Sequence, residues 1–111
     1  MNAGAEAERL AAQYLQRHGL TLIESNYRCR SGEIDLIMRD GATLVFVEVR
    51  LRKRDDFGGA AASIDGRKQY RLVLTAQHYL ASLAGTPPCR FDAVLLDGKG
   101  GIEWLKNAFE V

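Results

Sequence analysis

The chain has 111 residues, of which 47% are hydrophobic and 26% are charged, and its formal net charge is +1. These values are typical of a soluble globular protein, and we predict a single domain over residues 1–111 that buries a core without disulfides or structural metal. The near-neutral charge argues against a protein whose whole surface binds polyanions. Cys29 and Cys89 lack CxxC spacing and are predicted to be reduced thiols.

The sequence contains no candidate membrane span. The uninterrupted apolar run at residues 44–47 is far shorter than the roughly 20 residues that cross a bilayer. The first residues also lack the basic and apolar segments of a secretion signal. We therefore expect a cytoplasmic protein with no membrane partner.

The amino-terminal part of the chain has helical periodicity. Its apolar residues recur at intervals of three and four, which predicts an amphipathic helix over residues 4–18 that ends before Gly19. The residues of this apolar face are Ala7, Leu10, Ala11, Tyr14 and Leu15.

Three strands are predicted to follow, over residues 20–27, 33–39 and 43–51. The last two flank Asp40-Gly41, a dipeptide that favours a two-residue hairpin turn of type I′. Residues 44–47 are apolar on both faces of their strand. This pattern predicts a central strand that is covered on both sides.

A glycine-bearing connection at residues 52–63 precedes a second predicted helix at residues 64–84. Strands are then predicted at residues 90–96 and 102–105. The element order is therefore αβββαββ, which indicates an α/β fold with a mixed sheet between helices.

The predicted hairpin brings two carboxylates together. With Asp40-Gly41 as the turn, Asp35 is expected to face Phe46 and Glu33 to face Glu48. Asp35 and Glu48 then lie diagonally on one face, roughly 7–8 Å apart at the backbone. A three-residue turn would send Asp35 to the opposite face, so the prediction depends on an even turn length.

Two carboxylates at this separation can share one metal ion. A carboxylate that follows a continuous apolar strand is costly to bury unless it is paired or binds metal. Such oxygen ligands favour Mg²⁺ or Mn²⁺, which can activate water against a phosphodiester. The alternative is a surface ion pair of Arg50 with Glu48 or Glu33, of little energetic value.

Positive charge is concentrated in the middle of the chain. Residues 28–71 carry ten basic and seven acidic side chains, whereas the flanks carry five basic and seven acidic ones. Any contact with a polyanion is therefore expected in the middle segment.

The segments Gly-Glu-Ile-Asp-Leu-Ile, at residues 32–37, and Val-Phe-Val-Glu-Val-Arg, at residues 45–50, carry a family resemblance. They resemble the GEIDLI…FVEV signature of the YraN-like family of bacterial proteins. That family is similar to the restriction-endonuclease-like, or PD-(D/E)xK, nucleases and, among them, to archaeal Holliday-junction resolvases. Further matching residues are Gly4, Glu8, Ala11, Leu15, Asn26, Arg28, Gly58, Gly59, Ser63, Lys68, Arg90, Phe91 and Asp92.

The resemblance implies a restriction-endonuclease-like three-layer α/β/α core and a specific set of metal ligands. It makes Asp35 and Glu48 the metal-binding carboxylates, with Glu8 as an additional acid near the metal. The alternative for Glu8 is a solvated carboxylate beside Arg9. Glu33 either supports the metal site or pairs with a neighbouring arginine.

The sequence departs from the superfamily pattern at Arg50, where a lysine is usual. A guanidinium stays charged and cannot act as a base, although it can bind the scissile phosphate. Lys68 then supplies an ammonium group from the second helix, or is an exposed helix lysine. Candidate phosphate-binding residues, unless they form only a solvated charged surface, are Arg28, Arg30, Arg52, Lys53 and Arg54.

Three functions remain open from the sequence. The first is a Mg²⁺- or Mn²⁺-dependent DNA endonuclease, resolvase-like and active on branched DNA, with Asp35, Glu48, Arg50 and Lys68 as catalytic residues. The second is a nucleic-acid-binding module that has the same fold without the chemistry, and the third is a protein-interaction domain. The resemblance to resolvases also implies a two-fold homodimer.

Overall fold

The structure is a computed structural model that describes residues 3–51 and 64–109. Within these residues there are two helices and five strands in the predicted order αβββαββ. The elements are α1 (Ala3–Arg17), β1 (Thr21–Cys29), β2 (Gly32–Asp40), β3 (Thr43–Leu51), α2 (Gly66–Leu80), β4 (Cys89–Leu96) and β5 (Ile102–Phe109). The predicted connection at residues 52–63 lies outside the described residues.

The five strands form one mixed sheet in the order β1-β2-β3-β4-β5. Strands β3 and β4 are parallel, and the other neighbouring strands are antiparallel. As predicted, β3 is central, because its apolar residues are buried on both faces. Phe46 packs in a cluster with residues of α2, and Val45 packs in a second cluster with residues of α1. The predicted α/β/α layering is confirmed.

Each helix packs through a face that the sequence marks as apolar. Ala7, Ala11 and Leu15 of α1 are buried against the sheet. Helix α2 begins after Asp65, whose carboxylate accepts a hydrogen bond of 2.9 Å from the backbone N–H of Lys68. Such a side-chain cap satisfies a backbone donor that has no partner within the helix.

Two predicted ends differ from the structure by four residues, whereas the other ends lie within two residues of the prediction. Helix α2 ends at Leu80 rather than residue 84, because the chain turns through residues 81–85. Strand β5 continues to Phe109 rather than residue 105, because Phe109 pairs with Phe91 on β4 and their rings stack.

The predicted register of the β2–β3 hairpin is wrong by two residues. Asp40 pairs with Thr43, so Gly41 and Ala42 form the turn instead of Asp40 and Gly41. Gly41 has a φ of 62°, and Ala42 is not among the residues with positive φ. This pattern is typical of a type II′ turn, in which glycine occupies the first central position.

The corrected register changes the partner of Asp35. The paired residues run from Asp40 and Thr43 to Leu36 and Val47. The next position places Asp35 opposite Glu48 rather than Phe46, and Glu33 is no longer opposite Glu48. Because the turn still has two residues, Asp35 and Glu48 remain on the same face of the sheet.

Neither of the two described helices is long and apolar enough to cross a bilayer.

Candidate functional site

Two carboxyl groups meet at the end of the β2–β3 pairing. Glu48 directly follows the apolar run of β3 and is only 4% exposed, whereas Asp35 is half-buried. The two side chains are hydrogen-bonded to each other. Asp35 Oδ2 also accepts a hydrogen bond of 2.8 Å from the backbone N–H of Val49, which fixes the Asp35 carboxyl against β3.

This arrangement favours a proton on Asp35. Burial away from water, the hydrogen bond with Glu48 and the negative charge of Glu48 together raise the pKa of Asp35 to about 8, despite the opposing hydrogen bond from Val49. Like charges that share a site disfavour simultaneous ionisation. Without a bound cation, the pair therefore holds one proton at neutral pH.

The acidic pair opens into a small cavity, which we call the acidic pocket. The pocket has a volume of about 130 Å³ and lies between β2, β3 and α2. Its lining residues are Gly32, Glu33, Asp35, Glu48, Lys68, Arg71 and Leu72.

Cations from β3 and α2 balance the buried charge of Glu48. Lys68 Nζ lies 2.9 Å from Glu48 Oε2, and Arg50 Nη2 lies 3.7 Å from the same oxygen. Glu48 Oε2 is buried and receives no well-directed hydrogen bond, so its contact with Lys68 is an ion pair only. Of the two alternatives for Lys68, the structure has it close to the acids and only partly exposed, whereas Arg50 is outside the pocket lining.

Glu33 lines the acidic pocket and is also paired with an arginine. Arg28 Nε donates a hydrogen bond of 2.7 Å to Glu33 Oε2. Arg28 and Arg30 are both exposed on the part of the chain that leads from β1 into β2. The other predicted phosphate-binding residues, Arg52, Lys53 and Arg54, lie outside the described residues.

Glu8 lies on α1, on the other side of the sheet edge. It lines a separate cavity of about 410 Å³ between α1 and β1, although its charge contributes to the raised pKa of Asp35. The alternative for Glu8 was a solvated carboxylate beside Arg9; in the structure Glu8 is partly exposed, and Arg9 forms its ion pair with Glu6. Among residues 3–51 and 64–109, no group of three His, Cys, Asp or Glu side chains is close enough to hold a metal.

The donor set of the acidic pocket nevertheless fits a hard divalent cation. Asp35 and Glu48 provide two carboxylates, and Glu48 Oε2 is a buried oxygen without a hydrogen bond. Mg²⁺ and Mn²⁺ are often held by one or two carboxylates, with water and substrate phosphate as the other ligands. The two acids can therefore hold such an ion.

Comparisons with known proteins place the chain in a family. A family model described as "Uncharacterised protein family UPF0102" matches residues 7–96. The chain belongs to the UPF0102 family. The match includes most of α1, the acidic pair and α2, and it ends with β4.

Several UPF0102 relatives resemble the chain over nearly its whole length. UPF0102 protein NE0719 of Nitrosomonas europaea is 61% identical, with 98% of this chain and 94% of the relative covered. UPF0102 protein Nmul_A0195 of Nitrosospira multiformis is 59% identical over 97% of this chain and 92% of its own. A relative from Methylobacillus flagellatus is 56% identical, with coverages of 96% and 95%.

In this UPF0102 chain, the sequence pattern did not assign a role to Arg71 or Asp92. Arg71 lines the acidic pocket one helical turn after Lys68, and its i+3 spacing from Lys68 could have predicted that both side chains lie on one face of the helix. Asp92 was recognised only as part of the family resemblance. It is 1% exposed and accepts hydrogen bonds from Arg90, Trp104 and the backbone N–H of Asn107, so it joins β4 to β5.

Proposed function

We propose that this protein is a divalent-metal-dependent endonuclease that hydrolyses phosphodiester bonds in DNA. The observation that carries the proposal is the buried Glu48, hydrogen-bonded to Asp35 and opening into a cavity lined by cations. An exposed ion pair has little energetic value, whereas Glu48 is buried within a central strand. The family resemblance adds to this argument.

In the proposed reaction, Asp35 and Glu48 would hold Mg²⁺ or Mn²⁺. The metal would activate water and neutralise negative charge on the phosphate. Asp35 must release its proton for this role, and its hydrogen bond from Val49 keeps the carboxylate oriented toward β3. Glu48 must exchange its contact with Lys68 for the metal, which leaves the Lys68 ammonium available to the substrate.

The cations would bind and stabilise the phosphodiester. Lys68 lies at the pocket and can offer an ammonium group to an oxygen of the phosphate. Arg50 remains charged and acts on phosphate charge rather than as a base. Arg28, which is paired with Glu33 of the pocket, and Arg30 are both exposed and would contact neighbouring phosphates without reading sequence.

The direct test is cleavage of four-way-junction, single-stranded and duplex DNA with Mg²⁺ or Mn²⁺. We expect wild type to cleave at least one substrate, and Asp35→Asn and Glu48→Gln to lose at least about 100-fold in rate. Glu24→Gln, at an exposed acid of β1, is the matched control and should keep the wild-type rate. Equal rates for wild type and Glu48→Gln would overturn the proposal.

Calorimetry with Mn²⁺ tests metal binding without relying on catalysis. Wild type and Glu24→Gln should bind Mn²⁺, whereas Glu48→Gln should not bind it measurably. Glu8→Gln is informative because Glu8 lies in a separate cavity in this structure. Unchanged Mn²⁺ affinity in Glu8→Gln would show that the resemblance places one carboxylate too many at the metal.

A second function is a DNA-binding module without hydrolysis. It is favoured by Arg50, which stands where the related nucleases usually have a lysine and cannot replace the lysine as a base. This function predicts salt-dependent DNA binding that survives in Glu48→Gln, together with no cleavage by wild type. Cleavage by wild type that is lost in Glu48→Gln would exclude it.

A further inference from the structure

We infer that Arg71 is a phosphate-binding residue at the mouth of the acidic pocket. The inference rests on the proposed function, because it assumes that DNA enters this pocket. It adds to that function a residue on α2 that holds the substrate backbone.

Arg71 and Lys68 approach the pocket from the same side. They are three residues apart on α2 and therefore lie on one face of the helix, one turn from each other. Both side chains line the pocket opposite the acidic pair. A phosphate that enters the pocket between α2 and the sheet would meet both cations.

The two cations differ in what they are free to bind. Lys68 is held 2.9 Å from Glu48, and Glu33 on the opposite wall is paired with Arg28. Arg71 is exposed and makes no ion pair with any described residue. Arg71 can therefore receive an anion without first breaking a salt bridge to any residue of 3–51 or 64–109.

The backbone around Arg71 is firmly placed. Its carbonyl accepts a hydrogen bond of 2.8 Å from Thr75 Oγ1, and Thr75 is fully buried. Gly32, the first residue of β2, packs against the same part of α2 with a φ of 151°. A Cβ on Gly32 would lie 3.2 Å from Thr75 Oγ1 and 3.9 Å from Arg71 Cβ, so the missing side chain permits this close approach.

The size of the pocket limits the ligand to a small anionic group. Its volume of about 130 Å³ is well below the roughly 300–1,000 Å³ of ordinary small-molecule sites. A phosphate group fits this description better than a nucleobase. A guanidinium can bind phosphate through two parallel hydrogen bonds, which makes Arg71 a suitable partner for the backbone of DNA.

The test is binding of a fluorescein-labelled 30-base-pair duplex, measured by anisotropy between 50 and 200 mM salt. EDTA is present so that the DNA is not cut. We expect Arg71→Ala to weaken binding about 5- to 10-fold at low salt and to reduce the slope of log K against log salt by about 0.9, as for one lost phosphate contact. Arg71→Lys keeps the charge and should retain the wild-type slope.

Arg67→Ala is the matched control, because Arg67 is exposed on the same helix, has the same charge and lies outside the pocket lining. Circular dichroism establishes that each variant is folded, and Arg71→Gln provides a second neutral variant with a longer side chain. If Arg71→Ala and Arg71→Gln bind as tightly as Arg67→Ala, the inference is wrong while the proposed function stands. If wild type shows no salt-dependent DNA binding in EDTA, the inference is wrong, and the cleavage test with metal decides the proposed function separately.

Discussion

Glu48 is the first charged residue after the buried apolar run of β3, and it is buried as well. An aliphatic side chain at this position would continue the packing of residues 44–47, whereas a buried carboxylate needs a cation or a hydrogen-bond donor beside it. Lys68 and the protonated Asp35 meet this requirement. The same neighbours that make the acid tolerable also determine how the metal-free protein responds to pH.

The first prediction concerns that response. Folded Asp35 keeps its proton up to a pH of about 8, whereas the unfolded carboxyl releases it near its ordinary pKa of 3.8. Between these values the folded state binds more protons, so Asp35 lowers stability progressively as pH rises from about 4 to 8. Asp35→Asn imitates the protonated acid, and in EDTA it should stabilise the protein at pH 8.5, by about 1–2 kcal/mol after allowance for solvent access.

Urea unfolding at pH 5 and pH 8.5 measures this effect. The gain from Asp35→Asn should be smaller at pH 5, where wild-type Asp35 is itself largely protonated in the folded state. Glu24→Gln serves as the control for removing an exposed acid. A gain that is equal at both pH values would contradict the assignment of the proton to Asp35.

The second prediction concerns Asp92, a buried acid with a structural role. Trp104 Nε1 donates to Asp92 Oδ2 at 2.9 Å, and the backbone N–H of Asn107 donates to Oδ1 at 3.0 Å. Asp92→Ala removes these acceptors and leaves the partly buried guanidinium of Arg90 with Asp40 as its remaining partner. We expect a loss of about 3–5 kcal/mol in the free energy of unfolding.

Fluorescence of Trp104, the single tryptophan of the chain, follows urea unfolding of this variant. Asp92→Asn keeps an acceptor oxygen and should lose less stability than Asp92→Ala. A loss below about 1 kcal/mol in Asp92→Ala would show that the other contacts between β4 and β5 suffice.

At the scale of the elements, the β2–β3 turn depends on one glycine. Gly41 has a φ of 62°, which is unfavourable for residues with a Cβ. The third prediction is that Gly41→Ala lowers the free energy of unfolding by roughly 1–2 kcal/mol. Gly41→Asn should lose less, because asparagine tolerates this conformation better.

Urea unfolding of Gly66→Ala supplies the comparison for this prediction. Gly66 begins α2, has no positive φ, and has open space where a Cβ would lie. The substitution should therefore cause no loss of stability. Equal losses at Gly41 and Gly66 would show that the turn conformation is not what the chain requires of Gly41.

The sequence predicted the faces of the hairpin correctly but not its register. Alternation along a strand depends only on local backbone geometry, so Asp35 and Glu48 could be assigned to one face. Asp40-Gly41 and Gly41-Ala42 are both two-residue turns with a glycine, and local preference favoured the first. In the structure, Asp40 Oδ2 is 3.0 Å from Arg90 Nη1, a contact between distant residues that accompanies the pairing of Asp40 with Thr43.

The contacts between α2 and the sheet also could not be predicted from local sequence patterns. Periodicity predicted the helix and placed Lys68 near its start, but it contains no information on how the helix docks on β2. The proximity of Arg71 to the acidic pocket follows from the packing of α2 against Gly32. A residue whose role depends on helix–sheet docking is therefore found in the structure rather than in the motif.

At the scale of the whole molecule, the sheet separates two hydrophobic clusters, and Phe46 is central to the one under α2. Its ring lies 5.4 Å from that of Phe91 and 6.1 Å from that of Tyr79, measured between centroids. The fourth prediction is that Phe46→Ala costs about 3–5 kcal/mol of stability in urea unfolding. Phe46→Leu should lose less, and an equal loss in both variants would contradict a filled, close-packed core around the ring.

The two outer strands limit how the molecule can associate. Strand β1 has a register shift between Leu22 and Glu24, and β5 has one opposite Phe91 and Ala93. Each also contains an asparagine with positive φ, Asn26 in β1 and Asn107 in β5. Irregular edges disfavour edge-to-edge pairing of sheets, so we expect the predicted homodimer to form through another surface.

The position of Glu48 within β3 has a consequence for how chains of this kind can diverge. Removing or inserting one residue between the Gly41 turn and Glu48 would exchange the two sides of the strand beyond that point. Val47 or Val49 would then face the acidic pocket, and the Glu48 carboxylate would point into the hydrophobic cluster that contains the alanines of α1. Substitutions in this segment can therefore accumulate, whereas single-residue insertions and deletions cannot. The number of residues between Gly41 and Glu48 is the feature of the hairpin that we expect to resist evolutionary change most strongly.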